Sequence, residues 1–238
     1  MSSKNNTSRN CLPLTAYCSL ILSGPHLKSI LQIPLLLLLG CLLWGCGLER
    51  SGPPQEAQVA RVIDGDTLIL TDGKRVRLLG IDAPELEKEG RPADFLAHKA
   101  KAALAQLTED QKVRLEYDQL RYDHHGRVLA YPFLADGTNV SAEMVRQGLA
   151  RVYLIPPNLR YQETLIAAQR EALEARRGIW LKALHQDEPN YLANRKTFRF
   201  HRPDCRLAQQ MAKVNRVQID SLKDAYLQGY SPCRTCRP

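Results

Sequence analysis

Between Cys46 and Cys205 the chain has no cysteine. Its seven cysteines sit at the two ends, with Cys11, Cys18, Cys41 and Cys46 on one side and Cys205, Cys233 and Cys236 on the other. Disulfides therefore do not hold the middle of the chain together, and that region must fold on an apolar core. Acids are scarce at one end: residues 190–238 hold ten Lys/Arg and three Asp/Glu, against 19 and 21 over 51–189. The last stretch thus carries +7, against −2 over 51–189 and +3 over 1–50, so the positive field belongs mainly to the last fifty residues. A dense basic patch favours phosphate, although a solvated basic face has the same composition. A long unbroken apolar run is also lacking. Ile30–Gly45 falls short of the roughly 20 residues that span a bilayer, and Pro34 interrupts it. The bulk composition, 44% hydrophobic and 24% charged over 238 residues, excludes global disorder and allows one domain with additions.

The apolar run comes after Lys28 and ends Leu43-Trp44-Gly45-Cys46. It looks like a bacterial lipoprotein signal, in which residues 1–45 are removed and Cys46 carries the lipid. Residues 46–57, with Ser51-Gly-Pro-Pro54, then form a spacer. An uncleaved membrane anchor is the other reading. Both export the rest of the chain and attach it to a membrane.

The stretch Val62–Glu85 organises the rest of the chain. Two β-rich runs, Thr67–Leu70 and Arg75–Leu79, flank Thr71-Asp72-Gly73-Lys74, where Asp-Gly signals a hairpin. Asp66 precedes the first run, and Asp82 and Glu85 come after the second, so a hairpin brings these carboxylates together with Arg77 on the adjoining strand. Carboxylates alone repel. Carboxylates with an arginine suit a hard cation beside a phosphate. Asp72 and Asp136, each before a glycine, read as turn formers, and Asp64 as a residue that shapes the bend.

Downstream, Pro92–Leu107 has the periodicity of an amphipathic helix, Val113–Tyr117 and Arg127–Leu134 alternate as strands, and Val140–Gln147 and Tyr161–Arg176 read as helices stopped by Gly148 and Gly178. Periodicity alone gives an α+β class.

Val62-Ile-Asp-Gly-Asp-Thr67 and then Arg77-Leu-Leu-Gly-Ile-Asp-Ala-Pro-Glu85 resemble the staphylococcal nuclease (thermonuclease) family, over roughly Gln58–Trp180. Arg121-Tyr-Asp-His-His-Gly-Arg127 resembles that family's second arginine loop, and Met144–Tyr153 its approach to the nucleotide pocket. The resemblance implies a five-stranded barrel of OB type capped by helices. It implies Ca²⁺ held by Asp66, Asp82 and the carbonyl of Ala83, a phosphate clamped by Arg77 and Arg127, and Glu85 as general base. It also implies cleavage of DNA and RNA, by endonuclease or exonuclease action, to 5′-hydroxyl and 3′-phosphate ends. His124 and His125 stand where the better-known member of the family carries a Lys-Tyr pair, and with Tyr153 they are the expected substrate contacts. Asp123 is open between a structural role and support of the site.

At the other end, His201-x3-Cys205 and, 27 residues later, Cys233-x2-Cys236 offer four ligands in two close pairs, a pattern that suits tetrahedral Zn²⁺. Fifty residues scarcely build a core, so metal would supply folding energy. This tail resembles the Ada-type zinc-binding module, whose first ligand is a methyl-accepting Cys. His201 stands there instead, so alkyl transfer is not expected. Whether the module grips nucleic acid or is purely structural stays open, and a Cys233–Cys236 disulfide is a third reading.

The sequence thus predicts a nuclease domain over 58–183, a linker over 184–194 and a zinc module over 195–238, exported, lipid-anchored and with no obligate protein partner. The rival is a catalytically inactive nucleic-acid-binding protein. It is disfavoured because no carboxylate or arginine of the set is missing.

Overall fold

The computed structural model describes residues 53–185 and 188–238. The apolar signal, Cys46 and most of the spacer lie outside the described residues. Among those described, no helix is long and apolar enough to cross a membrane.

Strands β1 (Glu56–Asp64), β2 (Thr67–Leu70), β3 (Arg75–Leu78), β5 (Lys112–Glu116) and β6 (Val128–Phe133) close into a barrel in the order β1-β2-β3-β6-β5. β3 and β6 pair in parallel and the other neighbours antiparallel. This is the OB-type arrangement expected from the resemblance. The β2–β3 hairpin turns where Asp-Gly predicted: the Lys74 N–H donates to Asp72 Oδ1 at 3.0 Å, and Gly73 takes φ +82°. Val59, Leu68, Leu70, Val76, Leu78 and Val113 fill the interior. Each such side chain contributes about 1.5–3 kcal/mol on burial. The short ladder of β4 (Ile81–Asp82) with β7 (Arg151–Val152) runs beside the barrel.

Helix α1 (Ala97–Thr108) lays Ala97, Ala100, Leu104 and Thr108 against the barrel. It starts five residues later than the periodicity from Pro92 implies. The reason is a competing set of bonds: Asp94 Oδ2 accepts the Glu85 N–H, the Asp94 N–H donates to the Glu85 carbonyl, and Leu96 sits at φ +67°. Helix α2 (Val140–Arg146) ends near Gly148 as expected. Helix α3 (Gln162–Glu174) stops earlier than expected, and Arg176 at φ +50° makes the first reversal. Gly178 has a different task. It packs against Gly148, and a β-carbon there would collide with the Gly148 carbonyl.

The tail forms a four-stranded sheet in the order β10 (Arg216–Ile219), β8 (Tyr191–Asn194), β9 (Arg199–His201), β11 (Ser231–Pro232), with α4 (Arg206–Gln209) and α5 (Leu222–Leu227) beside it. The expected linker over 184–194 therefore extends too far, because its last four residues are strand β8 and Tyr191 is fully buried. Nor does the tail rely on its own core. Tyr191, Phe200, Ile219, Leu222 and Tyr226 join Ala172 and Leu173 of α3 and Trp180 in one cluster. Ser51–Pro238 is accordingly one compact unit.

Candidate active site

A cavity of about 620 Å³ opens at the end of the barrel. Eight of the nine residues expected at the site line it: Asp66, Arg77, Asp82, Glu85, His124, His125, Arg127 and Tyr153. The ninth, Ala83, is buried just beneath, and its N–H donates to Asp66 Oδ2 at 3.0 Å.

Local structure explains the convergence. Asp66 sits in the bend between β1 and β2, where its N–H donates to Asp64 Oδ1 at 3.1 Å. Gly65 permits that bend, since a β-carbon there would collide with Ala83 and Ala100. Arg77 is carried by β3, opposite Thr67 in the register. Its Nη1 donates to the Leu78 carbonyl (2.6 Å), its Nη2 to the Ile81 carbonyl (2.8 Å), and Nη2 lies 3.0 Å from Asp66 Oδ2 and 3.9 Å from Asp82 Oδ1. One guanidinium thus spans both carboxylates and is fixed from below by the backbone. Arg127 does not open β6 as expected but stands just before it. Asp123 holds it there: Oδ2 accepts Nε at 2.7 Å and Oδ1 accepts the Arg127 N–H at 2.9 Å. Asp123 therefore supports the site. Glu85 is half-buried and reaches Lys88 Nζ at 2.6 Å. His124 and His125 are exposed.

The two central carboxylates have opposite electrostatics. Burial pushes Asp66 up to about 6 despite Arg77, and Asp64 and Asp82 add to the rise. Burial also works against the charge on Asp82, but Arg151, Arg77 and Arg234 outweigh it and hold that carboxyl below its ordinary range. For Asp123 the same contest ends the same way, with hydrogen bonds from Arg127 overcoming burial.

Arg151 and Arg234 join the site without being among the residues expected there. Arg151 lies two residues before Tyr153, a spacing that could have flagged it. Arg234 stands between Cys233 and Cys236, and nothing local to the sequence shows that the tail folds back onto the cleft. Its Nη2 donates to Asp82 Oδ1 at 3.0 Å. Arg199, also from the tail, lies over the Tyr153 ring at 3.7 Å.

A second cluster lies in the tail. His201 ends β9, Cys205 precedes α4, and the parallel pairing of β11 with β9 draws Cys233 alongside, its N–H donating to the Phe200 carbonyl at 2.9 Å. The ligand atoms of His201, Cys205, Cys233 and Cys236 all lie within 4.8 Å of one another, a set that can hold a metal ion. Cys205, Cys233 and Cys236 are not joined by a disulfide in this structure, and their gathering with His201 favours the metal reading over a Cys233–Cys236 disulfide.

An OB-type barrel with carboxylates and arginines facing one cleft is the architecture of a phosphodiester-hydrolysing nuclease. The profile of the family described as staphylococcal nuclease homologue matches residues 75–182. The chain is 39% identical over 137 residues to a thermonuclease of Staphylococcus hyicus, covering 56% of this chain and 80% of that one. It is 41% identical over 125 residues to the thermonuclease of Staphylococcus intermedius, covering 51% and 74%. To the endonuclease YncB of Bacillus subtilis it is 34% identical over 140 residues, covering 57% and 63%. The chain belongs to the staphylococcal nuclease family. The family profile ends before the tail that carries Arg199, Arg234 and the His/Cys cluster.

Proposed function

We propose that this nuclease is exported and lipid-anchored through Cys46, depends on Ca²⁺, and hydrolyses DNA and RNA to 3′-phosphate and 5′-hydroxyl ends. The observation that carries the reading is the convergence of Asp66, Asp82 and Arg77 within one cleft that also contains Glu85 and Arg127. The donor set fits a hard cation. Asp66 and Asp82 offer oxygens only, are nearly buried, and sit close enough to share Arg77. When bound there, a divalent cation supplies charge neutralisation beside the phosphoryl oxygens. The chain's own residues do the rest. Arg77, braced by two carbonyls, and Arg127, braced by Asp123, clamp the phosphate and stabilise the charge that builds on it. Glu85 accepts the proton of the attacking water, whose oxygen bonds to phosphorus as the bond from phosphorus to the 5′-oxygen breaks, and the departing 5′-oxygen takes a proton from solvent to leave as the hydroxyl. Exposed His124 and His125, with Tyr153, contact the nucleotide.

The tail cluster suits zinc. Tetrahedral coordination at about 2.3 Å for sulfur and 2.0–2.1 Å for nitrogen places ligand atoms about 3.5–3.8 Å apart. His201 Nδ1 and Cys205 Sγ are 3.6 Å apart. The Cys233 and Cys236 sulfurs also accept backbone N–H groups from Thr235 (3.3 Å) and Arg202 (3.4 Å), as thiolate ligands do.

The test is cleavage of single-stranded DNA and of RNA by the Ser51–Pro238 unit, in Ca²⁺ and in a Ca²⁺-selective chelator, with Arg127→Ala alongside. Cleavage that needs Ca²⁺ and falls in the variant supports the reading. Salt-sensitive binding without cleavage would replace it with the inactive binding protein.

A further inference from the structure

We infer that Arg234, held in the Cys233-Arg-Thr-Cys236 knuckle of the tail, is a third phosphate-binding arginine of the nuclease cleft. The inference rests on the nuclease reading and extends it beyond the residues the family profile covers.

Three observations lead there. The first is placement. Arg234 lines the same cavity as Arg77, Asp82 and Arg127, and its Nη2 reaches Asp82 Oδ1, the oxygen that Arg77 approaches at 3.9 Å. Its head is therefore close to that of Arg77, where a phosphate must lie. The second is freedom. Its side chain is 68% exposed, whereas that of Arg77 is 15% exposed and pinned by backbone carbonyls. Asp82 does not depend on Arg234 alone for neutralisation, because Arg151 already engages its other oxygen at 2.8 Å and Arg77 approaches as well. A cation arriving at Asp82 repels the Arg234 guanidinium from Oδ1, and the nearest anion it can then meet is the substrate backbone. The third is anchoring. The knuckle backbone cannot drift, since the Cys233 N–H is bonded to Phe200 and the flanking sulfurs converge with His201 and Cys205. Arg199, by contrast, is not a second candidate. Its Nη1 is spent on the Leu154 carbonyl and Ser231 Oγ, and its guanidinium stacks 3.7 Å from the centre of the Tyr153 ring, against 5.1 Å for that of Arg234.

The metal centre is thereby given work at the active site: it fixes the residue that presents Arg234. Basic residues elsewhere in the tail are partly consumed by structure, as when Arg216 Nη2 donates to the Ala208 and Met211 carbonyls.

The experiment compares the full chain with Arg234→Ala and Arg234→Lys on a single-stranded oligonucleotide, reading kcat and KM over a salt series. It repeats the comparison for Cys236→Ser, with bound zinc measured directly. Expected for Arg234→Ala is a KM increase of about tenfold or more with kcat changed less than about threefold. The slope of log affinity against log salt should fall by about 0.7, as for one lost contact to a single strand. Arg234→Lys should restore the salt slope and only part of KM. Cys236→Ser should lose zinc and reproduce the Arg234→Ala slope, with no further change when the two are combined. An unchanged slope in Arg234→Ala overturns the inference while leaving the nuclease intact. Higher activity at lower Ca²⁺ in that variant also overturns it, by making Arg234 a mask on Asp82. Absence of cleavage by the unsubstituted chain is a separate result, which removes the nuclease reading itself.

Discussion

Arg151 stands opposite Asp82 in the β4–β7 ladder, and its guanidinium closes on the carboxylate, with Nη2 2.8 Å and Nε 3.1 Å from Oδ2. The pairing makes the ladder, only two residues long on each side, a device for holding one buried charge. Arg151→Ala should therefore destabilise the protein by about 1–3 kcal/mol. That is below the cost of stripping a buried carboxylate of its sole partner, because Arg77 and Arg234 remain. Arg151→Lys should recover less than half, since a point charge does not reproduce the fork. Urea unfolding reads both. A loss under about 0.5 kcal/mol would place the pair among ordinary surface ion pairs.

Asp66 makes a prediction of opposite sign. Its carboxyl is pushed up to about 6 in the folded protein, above the ordinary 3.8. The folded state then holds a proton that the unfolded chain has released, so stability falls as pH rises from about 4 to 6. Two units correspond to about 2–3 kcal/mol. Without divalent cation, Asp66→Asn should match the unsubstituted protein near pH 4 and exceed it in stability at pH 7 by about that amount. Added Ca²⁺ should reverse the order at pH 7, because only the aspartate gains from the cation. Urea midpoints at pH 4, 5, 6 and 7, with and without Ca²⁺, decide this. Parallel pH profiles for the two proteins would refute it.

The contrast between these carboxylates marks what the sequence could reveal. The hairpin and the gathering of Asp66, Arg77, Asp82 and Glu85 come from alternation, one Asp-Gly turn and a local motif, whereas periodicity gives only an α+β class and the barrel follows from the family resemblance. Chemistry carried within about 25 residues is legible because a hairpin fixes its geometry. The boundary at Ala97 was not legible, since Pro92 is a good helix start and only the Asp94–Glu85 bonds override it. The second core is hidden for a related reason. Ala172 and Leu173 sit on an ordinary amphipathic helix, and their partners Tyr191 and Phe200 lie in a segment that reads as linker and zinc loop. Arg234 is the extreme case, 152 residues from Asp82 along the chain and aimed by tertiary packing alone.

Asp123 permits a test of positioning separate from charge. Its carboxylate holds Arg127 through both the backbone N–H and Nε, and also accepts the His125 N–H at 2.9 Å. Asp123→Ala should free the guanidinium and lower kcat by about 10- to 100-fold, the usual scale for a misplaced catalytic group. KM should change little, and stability by about 1 kcal/mol. Asp123→Asn, whose amide oxygen can still accept the loop N–H groups, should fall between. If Asp123→Ala leaves kcat unchanged, then Arg127 does not depend on Asp123 for its placement.

The joint between barrel and tail runs through Gln169. Its Oε1 accepts the Val152 N–H at 2.7 Å and its Nε2 donates to the Tyr226 carbonyl at 2.6 Å, both out of contact with water. Gln169→Leu fills the same space but leaves a buried donor in β7 and a buried acceptor in the tail. The expected cost is about 2–5 kcal/mol, the sum of two stranded polar groups. Trp180 reports the shared core directly, provided that Trp44 is replaced by Phe. In the parent chain, Trp180 fluorescence and far-ultraviolet circular dichroism should give one coincident unfolding transition, as a single cooperative unit requires. In Gln169→Leu the fluorescence transition should come first, because the tail loses its hold on β7 while the barrel keeps its own ladder. Two separate transitions in the parent would mean that α3 and the tail share a surface without sharing stability. The tail could not then hold Arg234 against Asp82 through any condition that loosens it.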